Sequence, residues 1–189
     1  MRPDVAAAEA VDRGAPCARS PRVNLAGVPR LLEQLPAVRA ISQRIESGRP
    51  GAPAVVRVLD AAKAPLLVAV GRSLAPKVPL LVIVTATHNR ARELAELLVA
   101  FGGDPTAIAL IPEPGTSFYE ASYSDPAQVQ ARVESLWRVA TGRASLAVVS
   151  TRALMQRVSP PDALRQAART LRVGQSVRPA ELTEAWARA

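Results

Sequence analysis

Residues 110–161 read LIPEPGTSFYEASYSDPAQVQARVESLWRVATGRASLAVVSTRALMQRVSPP, and the succession of patterns in this stretch decides the fold. It opens with the end of a short apolar run, residues 107–111, which stops at Pro112 as a buried strand does. A second apolar run at residues 145–150 predicts another buried strand. The chain between the two runs is long enough for the crossover helix that parallel strands need.

The region between these strands carries a helix whose two ends are both marked. Asp125 precedes Pro126, so a carboxylate can cap the first turn and proline stands at the first helical position. Apolar residues recur at helical spacing over residues 127–140, and Thr141 and Gly142 follow as a stop signal. The order strand, helix, strand indicates that the two strands run parallel.

The same alternation extends over the rest of the chain. Residues 80–84 are a continuous apolar run, which predicts a strand buried on both faces. The repeated units predict an α/β fold with a doubly wound parallel sheet. The other predicted elements are a helical pair at 25–47 broken at Pro36, a strand at 54–59, helices at 62–74 and 89–101, a short helix from Arg152, a strand at 169–173 and a helix at 179–188.

Residues 110–161 resemble the amino-terminal module of bacterial transcription-repair coupling factors, the Mfd family, a module shared with the UvrB helicase of nucleotide excision repair. The family's loop tryptophan is replaced by Pro114 in this chain. From Asn24 onward most of the chain can be laid on the family pattern. The residues that carry the resemblance are Glu113, Thr116, Tyr119, Glu120, Ser124, Pro126, Arg132, Val133, Leu136, Val148, Val149, Ser150, Ala153, Leu154 and Pro160.

The resemblance implies a fold of P-loop NTPase or RecA-like type with a degenerate nucleotide site. It implies a UvrB-like α/β domain, of the domain 1a type, over residues 23–168. Residues 169–189 would begin an inserted UvrA-interaction-type domain that is truncated here. Residues 1–22 have little periodic apolar signal and are predicted to be a disordered tail.

The resemblance also implies a function. The chain would be a non-catalytic module, a fragment of a coupling factor that acts in transcription-coupled nucleotide excision repair by helping to recruit the UvrA repair protein. The full-length family is an ATP-dependent DNA translocase that also binds RNA polymerase. In that family UvrA is recruited mainly through the inserted second domain, so the resemblance does not by itself predict UvrA binding by this chain alone.

The turn before the predicted helix at 62–74 is where a nucleotide-hydrolysing member of this fold would hold phosphate. A phosphate loop there needs glycines, a lysine and a following hydroxyl. The turn has no glycine, and no Ser or Thr follows its lysine, so we predict no cofactor and no catalysis. The alternative is a UvrB-like helicase or ATPase that keeps a nucleotide site at this lysine. The residues at the degenerate position are Asp60, Ala61, Ala62, Lys63 and Ala64.

The loop after Pro112 is the candidate interaction loop, and it holds half of the chain's aromatic residues. Aromatic side chains on a loop can stack on bases or anchor a protein partner. The alternative, which we favour, is that they pack the loop onto the sheet. The candidate residues are Glu113, Thr116, Phe118, Tyr119, Glu120 and Tyr123.

Composition restricts the remaining classes of function. The net charge of +8 and the isoelectric point near 11.1 suggest DNA as a partner, and a basic DNA-binding module is a further alternative. The arginines are dispersed, however, which favours a compositional bias over a phosphate-binding patch. Cys17 and His88 are each the only residue of their type, so neither a disulfide, a zinc cluster nor a triad is expected. No apolar run approaches the roughly 20 residues that span a bilayer, and we predict a cytoplasmic protein.

Overall fold

The computed structural model describes residues 25–48, 53–75, 77–113 and 125–187, the side chains of Ala185 and Trp186 excepted. These residues form a mixed α/β structure with three parallel strands and eight helices. The elements are α1 (Gly27–Leu32), α2 (Pro36–Glu46), α3 (Asp60–Leu74), β1 (Leu81–Thr85), α4 (His88–Ala100), β2 (Ile108–Ile111), α5 (Pro126–Ala140), β3 (Leu146–Ser150), α6 (Thr151–Leu154), α7 (Pro161–Ala167) and α8 (Pro179–Ala187).

The three strands form one sheet in the order β1-β3-β2. In both pairs the strands are parallel, and Leu146 at the start of β3 lies opposite Leu81 of β1 and Ile108 of β2. Each consecutive pair of strands is connected through a helix, α4 in one case and α5 in the other. The prediction of an α/β fold with parallel strands is therefore confirmed.

The central strand is β3, not the strand that the sequence favours. All five residues of β3 are buried, whereas Val82 and Val84 of β1 are 47% and 49% exposed. The prediction that residues 80–84 are buried on both faces is wrong, because β1 lies at the edge of the three-stranded sheet. Continuous apolar runs occur in both strands, so the sequence alone does not tell the central strand from the edge strand.

The helices α4, α5 and α2 begin at the capping residues and prolines that the sequence contains. Thr87 accepts a hydrogen bond from the backbone N–H of Arg90 and so caps α4. Asp125 accepts from Ala127 N at 3.0 Å, and Pro126 begins α5. Pro36 is the first residue of α2, so the predicted break in the amino-terminal helical pair lies where proline fits a helix start.

Two apolar clusters join the helices to the sheet, and α3 belongs to both. Gly71 lets α3 approach β3 closely, since a Cβ at that position would lie 3.3 Å from the Leu146 side chain. The first cluster joins α3 and α4 to β2 and β3 through the buried residues Val68, Ala91, Leu98, Ile108, Leu146 and Val148. The second joins α2 to α3 through Val38, Ala69, Val70 and Leu74.

The predictions of strands at residues 54–59 and 169–173 are wrong. Residues 53–59 pair with no strand among the described residues, and Val55 and Leu59 are among the exposed apolar side chains. Residues 169–173 are also unpaired, and the N–H of Arg172 donates to the side chain of Gln175 instead of to a strand. Both stretches have β-forming composition but no neighbouring strand within the described ranges that would bury them.

The described helices include none with the length and apolar character that crossing a bilayer requires.

Candidate functional site

Residues 60–64, which the sequence predicts to be a degenerate phosphate loop, form the start of a helix. Residues 53–59 run without regular structure up to Leu59, whose extended backbone leads directly into α3 at Asp60. Ala61, Ala62, Lys63 and Ala64 are already helical. A phosphate loop needs several free backbone N–H groups in a glycine-rich turn between strand and helix. The described chain has no such turn at this point.

Asp60 is held by two cations. Lys63 Nζ donates to Asp60 Oδ1 at 2.7 Å, and Arg90 Nη2 donates to Oδ2 at 2.8 Å and to Oδ1 at 3.0 Å. Arg90 Nη1 also donates to Glu93 at 3.1 Å. Two carboxylates and two cations thus form one neutral network that joins the first turn of α3 to the first turns of α4.

These contacts stabilise the charged form of Asp60. The hydrogen bond from Lys63, followed by that from Arg90, lowers the pKa of the Asp60 carboxyl from 3.8 to about 2. The same contacts, first that with Asp60 and then that with Glu93, raise the pKa of the Arg90 guanidinium. Asp60 is therefore an anion at neutral pH, and it occupies a helix amino terminus, where the helix dipole favours negative charge.

The four residues of the network line a cavity of about 510 Å³, which we call the strand-end pocket. Most of its lining side chains are apolar, and the lining includes Thr85, the last residue of β1, and Ala86, which follows it. Ligands of open α/β sheets bind at this end of the strands. Its lining residues include Val56, Leu66, Leu67, Ile83, Leu94 and Leu97, with Asp60, Lys63, Arg90 and Glu93 around them.

A phosphate in the strand-end pocket would have to displace Asp60 and Glu93 from the cations that they bind. The cations that would attract a phosphate, Lys63 and Arg90, are already paired with these carboxylates. The pocket can therefore accept an apolar group more readily than an anion. The pocket thus lies at the carboxyl end of β1, and the charged side chains that line it pair with one another.

The neighbouring strand ends are tied together by their own hydroxyl groups. Ser150 is fully buried, donates to Glu113 Oε1 at 2.6 Å and accepts from Ala153 N at 3.1 Å, which caps α6. Thr151 Oγ1 donates to the carbonyl of Thr85 at 3.0 Å and so joins the end of β1 to the start of α6. These side chains serve the structure of the sheet edge and leave no free nucleophile among them.

Glu113 is the one residue of the candidate interaction loop that the structure describes. Its carboxylate accepts from Ser150 and lies 4.0 Å from Arg152 Nη1, so it anchors the start of the loop to β3. The other candidates, Thr116, Phe118, Tyr119, Glu120 and Tyr123, lie outside the described residues. Whether the loop contacts the sheet or a partner stays a prediction.

Metal binding has no support in the part of the chain that is described, where no group of three or more His, Cys, Asp or Glu side chains comes together. His88 is the first residue of α4 and is partly buried.

Sequence reasoning singled out Asp60 and Lys63 but missed their partner Arg90. The pair with Lys63 is local, at a spacing of three residues in one helix. Arg90 lies 30 residues away, and only the packing of α4 beside α3 brings it to Asp60. The available signal was the position of Arg90 in the first turn after β1, because residues that follow parallel strands converge at one edge of the sheet.

A comparison with known proteins identifies no family, since no protein-family model matches the chain and no curated protein matches it.

Proposed function

We propose that this chain is a non-catalytic, UvrB-like module of a transcription-repair coupling factor, which supports recruitment of UvrA-type repair machinery in transcription-coupled nucleotide excision repair. The ordered resemblance over residues 110–161 gives the biological context. The parallel strands linked through α4 and α5 are compatible with the doubly wound, P-loop-type sheet that this proposal includes.

The observation that carries the non-catalytic part of the proposal is the binding of Asp60 by Lys63 and Arg90. In an ATPase of this fold, the equivalent lysine would contact the β- and γ-phosphates. In this chain the lysine contacts a carboxylate of its own helix. A module whose phosphate position is filled by its own anion has a structural or recruiting role, and the motor of the same system would lie elsewhere.

Strand-specific repair in the cells that encode this chain tests the proposal. We expect an in-frame deletion of the codons for residues 25–187 to abolish the faster repair of ultraviolet lesions in transcribed strands, while repair of untranscribed strands continues. A Lys63→Ala substitution should leave the strand preference unchanged, because Lys63 is a surface ion-pair partner and not a phosphate ligand.

The deletion tests the repair role, and Lys63→Ala tests whether the module is non-catalytic. An unchanged strand preference after the deletion would rule out the repair role. Loss of the preference in a Lys63→Ala protein that is still folded and present at normal level would show that Lys63 acts on a nucleotide. That second result would favour the UvrB-like ATPase instead.

A further inference from the structure

The positive charge of the chain is concentrated in one region. Residues 138–178, which we call the arginine-rich region, contain eight arginines and one acidic residue, Asp162, a net charge of +7. The remainder of the chain therefore carries only +1 of the total of +8. Arginines are dispersed along the whole chain. Outside residues 138–178 acidic residues nearly cancel their charge, whereas within residues 138–178 the only acidic residue is Asp162.

Two of these arginines have structural roles. Arg138 Nη2 donates to the carbonyls of Pro105, Thr106 and Ile108 and so holds α5 to the start of β2. Arg165 donates through Nε and Nη2 to the carbonyl of Ala140, the last residue of α5. These two guanidinium groups satisfy backbone carbonyls, and Arg165 Nη1 also donates to Asp162 at 2.7 Å.

Other arginines of the region have no such contacts. Arg143, Arg157, Arg169 and Arg172 are exposed, and none of them has an ion-pair partner among the described residues. By contrast, Arg178 pairs with Glu181. The exposed set therefore presents uncompensated positive charge, which attracts a partner that carries carboxylates or phosphates.

Two of the uncompensated arginines border an apolar groove. The groove between α5 and α7 has a volume of about 910 Å³, and its lining includes Val129, Val133, Trp137 and Leu164, together with Arg143 and Arg169. Val129 and Val133 are 48% and 50% exposed. Glu134 is the only acidic residue in the lining. We call this surface the α5–α7 groove.

The walls of the α5–α7 groove are fixed by hydrogen bonds. Arg165 ties α7 to the end of α5, as described above. Ser135 Oγ donates to the carbonyl of Leu110 at 2.7 Å, and Arg132 Nη1 donates to that of Pro112 at 2.6 Å, so α5 is tied to β2. A groove that is formed in advance costs a partner less ordering when it binds.

We propose that the α5–α7 groove binds a short segment of a partner protein that carries apolar side chains flanked by carboxylates. Its apolar floor would bury the apolar side chains, and Arg143 and Arg169 would pair with the carboxylates. Tryptophan and arginine are also the residue types that contribute most to binding at protein interfaces. A nucleic acid fits less well, because a phosphate backbone offers nothing apolar to cover Val129 and Val133. This proposal is independent of the repair role.

A displayed library of random peptides identifies the preferred ligand without assuming its sequence. Peptides of about 16 residues, roughly 24 Å as a helix, are about as long as the 15-residue helix α5 that forms one wall of the groove. We expect selection on the folded chain to enrich peptides that combine leucine or aromatic residues with Asp and Glu. The enrichment should disappear on a Val133→Asp chain, because a carboxylate on the groove floor repels the acidic ligand. Val133 is half-exposed, so this variant should fold, which circular dichroism checks.

Charge reversal then distinguishes binding in the groove from non-specific attraction of an acidic peptide to a basic protein. For the best selected peptide, we expect Arg143→Glu with Arg169→Glu to weaken binding at least tenfold, roughly the loss of 1.4 kcal/mol. The matched control, Arg157→Glu with Arg172→Glu, makes the same change of charge outside the groove lining and should weaken binding less than about twofold.

Three results would overturn the proposal. The first is that the library shows no more enrichment on the parent chain than on the Val133→Asp chain, and the second is that the enriched peptides are basic or purely apolar. The third is that the two charge reversals weaken peptide binding equally. Equal losses, together with binding of a DNA duplex of about 20 base pairs at about 150 mM salt, would assign the arginine-rich region to nucleic acid instead.

Discussion

The strand-end pocket and the arginine-rich region differ in whether their charged side chains are paired. Around the pocket, Asp60, Lys63, Arg90 and Glu93 neutralise one another within a few ångströms. In residues 138–178, one aspartate stands against eight arginines, and several of these have no partner among the described residues. We therefore expect the paired charges at the pocket to attract ionic ligands less than the uncompensated arginines beside the α5–α7 groove do.

The first prediction concerns the packing next to the pocket. Leu98 is fully buried in the cluster that joins α3 and α4 to the sheet. We expect Leu98→Ala to lower the free energy of unfolding by about 2–5 kcal/mol, because it removes buried methyl groups and leaves a cavity. Leu171→Ala, a half-exposed site in the arginine-rich region, should change it by about 0.5 kcal/mol or less. Urea unfolding measures both, and equal losses would contradict the difference in packing.

The second prediction separates structural from free arginines within the arginine-rich region. Arg165→Ala removes the donors to the carbonyl of Ala140 and should lower the free energy of unfolding by about 1 kcal/mol. Arg169→Ala removes no described hydrogen bond and should leave that free energy within about 0.5 kcal/mol of the parent. If urea unfolding gives the opposite order, Arg169 has a structural partner and the open groove is misassigned.

The third prediction concerns the titration of Asp60. Because its pKa is lowered to about 2, the stabilisation by its ionised form is complete above pH 3.8 and is lost as the pH falls through about 2. Carboxyl-carbon NMR should give that pKa directly. Lys63→Met should move the pKa back toward 3.8, since the hydrogen bond from Lys63 is the largest cause of the shift. A pKa near 3.8 in the parent chain would mean that the network does not form in solution.

Much of the fold could be predicted because its signals are local. Asp125 and Pro126 marked the start of α5, and the apolar runs marked β2 and β3 to within one residue at their first positions. The order of the strands could not be predicted, because it depends on contacts between distant segments. Residues 53–59 show the limit of local propensity: a Val-rich stretch has no strand pairing where no neighbour is available.

The candidate site was predictable only in part for the same reason. The absence of glycine at residues 60–64 was visible in the sequence, and it led to the expectation of no phosphate loop. The ion pair between Arg90 and Asp60 needed the packing of α4 beside α3. The α5–α7 groove needed the bond from Arg165 to the end of α5, which places α7. Neither contact leaves a periodic pattern in the sequence.

The most direct test of the closed pocket is isothermal titration calorimetry of the chain with ATP and Mg²⁺. Because Asp60 already occupies the cations that a phosphate would need, we predict no measurable heat of binding up to about 1 mM nucleotide, which corresponds to a binding free energy weaker than about −4 kcal/mol. Saturable binding with a micromolar Kd, lost in Lys63→Ala, would contradict the central claim that the strand-end pocket is closed to nucleotide.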